Sequence, residues 1–254
     1  MTLLRSIRAA LIAVTAGAAI AGAAHVTAAQ AQSFTPQQRS EIESIIRDYF
    51  VKHPEMIEEM QALAQSEKMK RAINEHKDML LNSPHQVTLG NPKGDVTMVE
   101  FFDYNCGYCK RSLGDMLALL KSDPKLRVVL KELPVLSPGS MEAAQVAAAL
   151  SMQDKDGKRY LEFHQKLLGG RGQADKARAL AVAKEVGADM ARLEKDMVSP
   201  DVKAGLAENF KLAEAFSIQG TPSYVIGNDV LVGAVGLEEL QSKINAARCG
   251  KATC

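Results

Sequence analysis

The spacing of hydrophobic residues divides the chain into two parts that meet near residue 85. From residue 35 to residue 83, apolar side chains recur at helical spacing on a charged background, as in amphipathic helices. From Val87 onward, short apolar runs alternate with longer helical stretches, and glycine or proline clusters separate them. The pattern predicts an N-terminal helical region followed by a mixed α/β domain.

The N-terminal region begins with a strong helix-start signal. Thr35-Pro36-Gln37-Gln38 supplies an N-cap, a proline in the first turn and a capping-box glutamine. His53-Pro54 ends this helix, and a second one is predicted from Glu55 to Leu81. Both helices carry thin apolar seams that they cannot bury alone. We therefore expect residues 35–83 to join copies of the chain into a homo-oligomer; the alternative is that they fold back onto their own chain.

The second part contains strands, a long helical stretch, and then a hairpin with a final helix. In chain order the predicted elements are strands at 87–89 and 96–102, a helix at 110–120, a strand at 126–133, four or five helices within 140–216, strands at 224–226 and 231–232, and a helix at 237–247. The strand–helix–strand order around residue 115 implies parallel pairing through a right-handed crossover. We expect an α/β fold with a helical segment inserted into it.

The first 31 residues differ from both parts. Arg5 and Arg8 are followed by an apolar stretch of small residues, and Ala29-Gln30-Ala31 offers a small-x-small cleavage site. This is the pattern of a cleavable secretory signal peptide. A single membrane anchor is the alternative, although the segment is short for a span and rich in alanine and glycine. We expect residues 1–31 to be removed and the mature protein to work in an oxidising periplasm.

Composition and charge indicate which kinds of partner the protein can attract. The 254 residues are 46% hydrophobic and 24% charged, which is ordinary for a globular protein. The formal net charge is +1, and removal of the two leader arginines from the 31 basic residues leaves 29 against 30 acidic ones. Such a balance gives no basic field that would attract nucleic acid. We expect no nucleic-acid partner.

The chemistry of the chain is indicated by Cys106-Gly107-Tyr108-Cys109. This Cys-x-x-Cys follows an apolar strand and opens a helix, an arrangement typical of redox centres in exported proteins. At a helix N-terminus, free N–H groups and the helix dipole favour the thiolate of Cys106. Cys109 lies one turn further on, where it can close a disulfide or resolve a mixed one. We predict that Cys106 is the nucleophile and Cys109 the resolving thiol.

Two other interpretations of the motif remain open. It could be a structural disulfide, or it could bind zinc together with Cys249 and Cys254, whose C-x4-C spacing suits zinc poorly. Thr221-Pro222 supports the redox interpretation, because a proline at the entrance to a sheet favours a turn or a cis bond. Cys249 and Cys254 themselves are expected to form a small local disulfide, with a second redox pair or a metal clamp as alternatives.

The segment from Glu100 to Cys109 resembles the active-site segment of DsbA-like thioredoxin-fold proteins. Thr221-Pro222 is similar to the cis-proline loop of that family, and residues 134–217 match its helical insertion. With the N-terminal helices included, the chain is most similar to the ScsC, or suppressor-of-copper-sensitivity, group. The resemblance implies a thioredoxin fold with an inserted helical domain and an N-terminal helical extension. Its domains would be a signal peptide at 1–31, a helical region at 32–84, and a DsbA-like domain at 85–254.

The resemblance also implies roles for individual residues. Glu100 matches the buried acid beneath the disulfide, which could relay a proton from Cys109; a solvent-facing strand glutamate is the alternative. Strong DsbA-type oxidases carry Pro-His between the cysteines and valine before the cis-proline, whereas this chain has Gly107-Tyr108 and Thr221. Those choices resemble the disulfide isomerase DsbC. We therefore expect isomerase or reductase activity, with net oxidation of DsbA type as the alternative.

The partners follow from that assignment. We expect clients among misfolded or reduced periplasmic proteins, and a membrane redox partner that is a DsbD- or ScsB-like reductase or a DsbB-like oxidase. No cofactor or resident metal is expected. The second functional class is a copper-binding thiol protein without turnover, since thiolates and the 11 methionines suit Cu(I). Methionine stripes are more often packing residues, so the thiolates of Cys106 and Cys109 are the better copper ligands.

Overall fold

The computed structural model describes residues 34–254. The predicted signal peptide at 1–31 lies outside the described residues. Within them, no helix combines the length and the apolar composition needed to cross a membrane. The described residues divide into two units, residues 34–56 and Ile57–Cys254.

The described part of the first unit is dominated by helix α1, Pro36–Lys52. The predicted capping box is present: Oγ1 of Thr35 accepts from the N–H of Gln38 at 3.3 Å, and Oε1 of Gln38 accepts from the N–H of Thr35 at 2.9 Å. No residue of α1 is buried, and Ile45 in the middle of its apolar stripe is 67% exposed. The helix therefore presents an apolar stripe to its surroundings.

The second predicted helix is divided in two. Helix α2 spans Glu55–Glu75 and helix α3 spans Lys77–Leu81, so the prediction of one continuous helix was wrong at His76. Ile73 and Leu80 are buried in one cluster with Val99 and Phe101. The end of α2, from Met69 onward, and α3 therefore contribute to the core of the larger unit.

The larger unit is built on a five-stranded sheet of order β1-β3-β2-β4-β5. The strands are β1 Val87–Gly90, β2 Val96–Phe102, β3 Leu126–Glu132, β4 Ser223–Ile226 and β5 Asp229–Val232. Strands β2 and β3 are parallel, as the crossover predicted, and the other pairs are antiparallel. The sheet is thus the mixed sheet of a thioredoxin fold.

Helices cover both faces of this sheet. Their bounds are α4 Gly107–Ser122, α5 Pro138–Ser151, α6 Lys158–Gly169, α7 Lys176–Glu185, α8 Met190–Asp196, α9 Pro200–Ala215 and α10 Leu237–Cys249. Five of them, α5 to α9, lie between β3 and β4, which confirms the inserted helical domain. Helix α4 begins at Gly107, three residues earlier than predicted, so the Cys-x-x-Cys motif forms its first turn.

The alternation of β2 decides which side chains lie under the motif. Met98 and Phe102 belong to the cluster that includes Met116 of α4, whereas Val99 and Phe101 face the opposite cluster. Successive strand residues point to opposite faces. Glu100 therefore lies on the face covered by α4, the helix that carries both reactive cysteines.

Candidate active site

Cys106 occupies the N-cap of α4, directly after the turn that leaves β2. Its Sγ accepts from the N–H of Cys109 at 3.4 Å, the contact expected of a thiolate at a helix N-terminus. Cys106 retains 6% exposure, whereas Cys109 is fully buried. Cys106 is therefore the less deeply buried of the two cysteines.

The peptide bond between Thr221 and Pro222 is cis, and this loop faces the first cysteine. The Cys106 thiol donates to the carbonyl oxygen of Thr221 at 3.1 Å, across 115 residues of sequence. The structure thus brings together the two motifs that the sequence placed far apart. The hydroxyl of Ser223, the first residue of β4, donates to the carbonyl oxygen of Gly220 at 2.8 Å. This hydrogen bond spans the loop that contains Pro222.

Glu100 is buried beneath the motif and does not face solvent. Its Oε2 atom has no hydrogen-bond partner among the described residues. Burial, with a smaller contribution from the negative charge of Asp115, raises the pKa of Glu100 to about 8. Burial likewise raises the pKa of the Cys109 thiol well above its ordinary value. Burial thus favours the protonated forms of both groups at neutral pH.

The two residues between the cysteines are open to solvent. A Cβ on Gly107 would meet nothing within 4 Å, and the Tyr108 side chain is 59% exposed. The guanidinium of Arg111 lies 4.1 Å from the Tyr108 ring centroid, a cation–π contact. The Tyr108 ring is therefore turned towards Arg111 and offers no hydrogen bond to Cys106.

A cavity of about 420 Å³ opens beside Cys106. One wall is the start of α4, including Gly107 and Lys110; the other is the segment that follows α6, including Gly170, Gly172 and Gln173. Lys110 donates to the carbonyl oxygen of Gly170 and joins the two walls. The helical insertion thus forms one side of the space through which a client would reach Cys106.

Two polar residues in the turn before Cys106, Asp103 and Asn105, were not predicted from the sequence to belong to the site. Asp103 is buried, and its carboxylate accepts three backbone N–H groups. Asn105 bonds with its side chain to the helical insertion. Both residues lie next to the motif in sequence, but the groups that they bind are far away in sequence and are identified only by the structure.

A second polar group missed by the sequence lies deeper in the core. The hydroxyl of Tyr160 donates to Oε1 of Glu132 at 2.6 Å and lies 3.2 Å from the hydroxyl of Tyr104. Nδ1 of His164 lies 3.4 Å from the same Tyr104 hydroxyl. These four buried side chains connect the strand ends to helix α6.

Cys249 and Cys254 are joined as a disulfide at the end of α10, with a Cα–Cα distance of 6.2 Å. They lie at the C-terminus, where both are exposed. Across residues 34–254, no group of three or more His, Cys, Asp or Glu side chains is arranged to hold a metal ion.

Comparison with protein-family models finds two matches. Residues 97–245 match the DSBA-like thioredoxin domain, and residues 38–68 match the N-terminal domain of the copper resistance protein ScsC. The first match covers more than half of the chain and includes the whole Cys-x-x-Cys motif.

Several solved structures are similar to the chain. A thioredoxin-like oxidoreductase from Silicibacter pomeroyi is 42% identical, covers 68% of this chain and 97% of its own, and gives a TM-score of 0.64. A linker-deletion mutant of Proteus mirabilis ScsC is 28% identical, covers 85% and 97%, and gives a TM-score of 0.70. The thiol-disulfide exchange protein α-DsbA2 from Wolbachia pipientis is 27% identical, covers 72% and 97%, and gives 0.66.

Two curated relatives also match part of the chain. The Na⁺/H⁺ antiporter NhaA 1 of Salinispora arenicola is 27% identical over 63% of this chain, and the match spans only 24% of that protein. A probable disulfide bond formation protein D from Bacillus cereus is 27% identical over 61% of this chain and 78% of its own length. The chain thus spans about a quarter of the antiporter.

Proposed function

The chain belongs to the family of DSBA-like thioredoxin domains, and from this premise we propose that it is a thiol–disulfide oxidoreductase acting on protein clients. Cys106 is the nucleophile and Cys109 the resolving thiol. The single observation that carries the proposal is the difference between the two sulfurs: Cys106 sits at the N-cap of α4 beside an open cavity, whereas Cys109 is sealed beneath it.

The first step is attack by the Cys106 thiolate on one sulfur of a client disulfide. The client S–S bond breaks, a mixed disulfide forms between Cys106 and the client, and the second client sulfur leaves as a thiolate that takes up a proton. The N–H of Cys109 stabilises the attacking thiolate. Thr221, whose carbonyl lies 3.1 Å from Sγ, borders the sulfur on the side of the cis-proline loop.

Two outcomes are open to the mixed disulfide. In reduction, Cys109 loses its proton and attacks Sγ of Cys106; the client leaves as a thiol, and two electrons pass from the cysteine pair to the client. Glu100 in its ionised form is suited to take the Cys109 proton. In isomerisation, a different client thiolate attacks the client sulfur, Cys106 is released, and the number of disulfides does not change.

We favour isomerase or reductase activity because the Cys106 thiolate receives little stabilisation. Among the described residues, its Sγ accepts one hydrogen bond, from the N–H of Cys109 at 3.4 Å, and no charged side chain bonds to it. Tyr108 turns away towards Arg111. A weakly stabilised thiolate makes the reduced form less favourable and the couple less oxidising. Such a centre needs electrons from a membrane reductase of the DsbD or ScsB type.

Net oxidation remains the second candidate, supported by Arg111. Its positive charge lies over the central dipeptide of the motif and would favour a thiolate at Cys106. In that case a DsbB-like oxidase would be the membrane partner. A third candidate, copper binding without turnover, is supported by the match of residues 38–68 to the N-terminal domain of a copper resistance protein. Its ligands would be the thiolates of Cys106 and Cys109.

The remaining proposals concern location and assembly. We propose that the protein works in the periplasm after removal of residues 1–31, on misfolded or reduced clients; a Salmonella relative of known structure is described as a periplasmic thioredoxin-like protein. The exposed apolar stripe of α1 supports homo-oligomerisation through the N-terminal helices.

Refolding of a client with scrambled disulfides tests the proposal. The reduced protein should restore native pairing, Cys106→Ser should abolish that activity, and Cys109→Ser should accumulate the mixed disulfide. Undiminished activity in Cys106→Ser would overturn the assignment. Alkylation of thiols in intact cells separates the directions: a mostly reduced motif supports isomerase or reductase activity, and a mostly oxidised one supports net oxidation.

A further inference from the structure

The side chain of Asn105 joins the turn before Cys106 to the helical insertion. Its Oδ1 accepts from the backbone N–H of Ala174 at 2.7 Å, and its Nδ2 donates to the carbonyl oxygen of the same residue at 2.8 Å. This two-way bond fixes the orientation of the carboxamide, because a backbone N–H only donates and a carbonyl only accepts. The two residues are 69 positions apart in sequence.

The same carboxamide also reaches the start of α5. Nδ2 lies 3.0 Å from Oγ of Ser140 and 3.3 Å from Oγ of Ser137. Gly139 leaves room for this approach: a Cβ there would lie 3.0 Å from the carbonyl oxygen of Ala174. The absence of a side chain at Gly139 therefore lets the segment before α7 approach α5 and the Asn105 amide.

Asp103 holds the other end of the turn. Its Oδ1 accepts from the N–H of Asn105 at 2.8 Å, and its Oδ2 accepts from the N–H groups of Val135 and Leu136 at 2.9 and 3.0 Å. The N–H of Cys106 donates to the Asp103 carbonyl at 3.0 Å. The turn is thus tied to the helical insertion at two points, and the Asn105 side chain forms one of them.

The segment held by Asn105 also borders the client cavity. Gly170, Gly172 and Gln173 line that cavity opposite Cys106, directly before Ala174. We propose that Asn105 is a positioning residue that couples segment 170–174 to the Cys106 sulfur, so that the wall contacted by a client also sets the reactivity of the nucleophile. This inference rests on the proposed thiol–disulfide exchange.

The coupling acts through the geometry of the N-cap. The turn directs Sγ of Cys106 towards the N–H of Cys109, the contact that stabilises the thiolate. If the Asn105–Ala174 bond is lost, the turn can shift and the sulfur spends less time near that donor. The effect can be measured from the redox equilibrium with glutathione, in which the protein disulfide and two glutathione molecules give the protein dithiol and one glutathione disulfide. Loss of the Asn105–Ala174 bond should shift this equilibrium towards the protein disulfide.

The decisive variant is Asn105→Ala in the mature protein, measured for its glutathione equilibrium and for the rate of Cys106 alkylation by iodoacetamide at fixed pH. We expect alkylation to slow and the equilibrium constant to fall by about threefold to tenfold, the effect of one net hydrogen bond. Asn209→Ala is the control: Asn209 is buried and, like Asn105, donates through its side chain to a backbone carbonyl, that of Glu132, at 3.0 Å. It should lower stability and leave both readouts unchanged.

A second variant disturbs the same Asn105–Ala174 contact from the side of the helical insertion. In Gly139→Val the new side chain must push the Ala174 carbonyl away, because even a Cβ would lie only 3.0 Å from it. It should reproduce the direction of the Asn105→Ala shift, and it tests the idea if Asn105→Ala does not fold. Wild-type values in both Asn105→Ala and Gly139→Val would overturn the coupling. A wild-type protein that fails to exchange with glutathione would instead overturn the proposed function.

Discussion

The hydroxyl of Tyr160 lies 2.6 Å from Oε1 of Glu132, and both side chains are buried where the sheet meets the helical insertion. Burial raises the pKa of Glu132, and the bond from Tyr160 partly opposes that effect. A carboxyl group at this depth depends on its partner, since an unsatisfied buried acceptor is costly. The pair therefore ties helix α6 to the end of β3.

Tyr160→Phe tests how much the Tyr160–Glu132 hydrogen bond contributes to stability. The substitution keeps the ring and removes the hydroxyl, so Glu132 loses a partner, and we expect the free energy of unfolding to fall by about 1–3 kcal/mol. Urea denaturation at pH 7 measures it. Tyr108→Phe is the control, because the Tyr108 ring is exposed and its hydroxyl bonds to none of the described residues. Equal stabilities of the two variants would contradict the prediction.

His164 should make the protein sensitive to acid. Burial lowers its pKa from 6.5 to about 3, so between these values the unfolded chain binds a proton that the folded protein does not. Stability then falls as the pH drops below 6.5, by about 1.4 kcal/mol per pH unit from this residue. His164→Gln removes the titration and should flatten the dependence between pH 7 and pH 5.

His53, a half-exposed histidine whose Nδ1 lies 3.1 Å from Oε1 of Glu55, supplies the comparison for that measurement. His53→Gln leaves His164 in place, so the loss of stability below pH 6.5 that His164 causes should persist in this variant. Carboxyl groups that also titrate in acid are shared by all three proteins, so the differences between them isolate the histidines. A wild-type slope in His164→Gln would refute the assignment.

The fold was predictable where local signals dominate. The capping box at Thr35, the apolar runs of β2 and β3, and the motif at Cys106 each depend on a few neighbouring residues, and each is where the sequence predicts it. The break at His76 was missed because no glycine or proline marks it. The residues on either side of the break, Ile73 and Leu80, are buried in one cluster with the sheet, a tertiary contact that the local sequence does not specify.

The site was predictable only in part, because its remaining contacts are long-range. Glu100 was suggested by resemblance, but nothing in the sequence pairs Asn105 with Ala174 across 69 residues. Lys131 and Glu132 are charged residues at the end of β3, yet both are buried. The Lys131 ammonium donates to the carbonyl of Met79 at 3.0 Å. Only the tertiary packing of α3 and α6 supplies these partners.

The C-terminal disulfide should be structural and not part of the redox cycle. It links residues five positions apart at the end of α10 and closes a short loop. Replacing both Cys249 and Cys254 by serine should cost at most about 2 kcal/mol of stability, because a short loop loses little entropy on closure. The rate of client reduction should equal that of wild type. A slower rate in the double variant would indicate a second redox pair.

Oligomerisation is best tested at α1. A deletion of residues 35–83 would remove the buried Ile73 and Leu80, so a deletion should stop at Met56. A point variant is sharper: Ile45→Lys places a charge in the apolar stripe, whereas Val51→Lys changes an equally exposed residue on the opposite side of the same helix. Light scattering after gel filtration should show a smaller particle for Ile45→Lys and an unchanged one for Val51→Lys. Identical masses for both would contradict an α1 interface.

Glu100→Gln should separate stability from catalysis. The folded-state pKa of Glu100 is about 8 against 4.5 for an ordinary glutamate, so the folded protein retains a proton that the unfolded chain releases. Wild-type stability must therefore fall as the pH rises from 4.5 to 8, and glutamine, which does not titrate, avoids this loss. Relative to the difference at pH 4, the variant should gain about 5 kcal/mol over wild type by pH 8.5, at about 1.4 kcal/mol per pH unit between the two pKa values, and only about 1 kcal/mol by pH 5.

The same substitution should slow the step in which Cys109 attacks the mixed disulfide, by about tenfold or more if Glu100 takes the proton. Stopped-flow release of a small thiol from a Cys106 mixed disulfide measures that step directly. Glu132→Gln is the matched control, because Glu132 is also buried with a raised pKa but bonds to Tyr160. Resolution at the wild-type rate in Glu100→Gln, or an equal slowing in both variants, would show that Glu100 is not the base for Cys109.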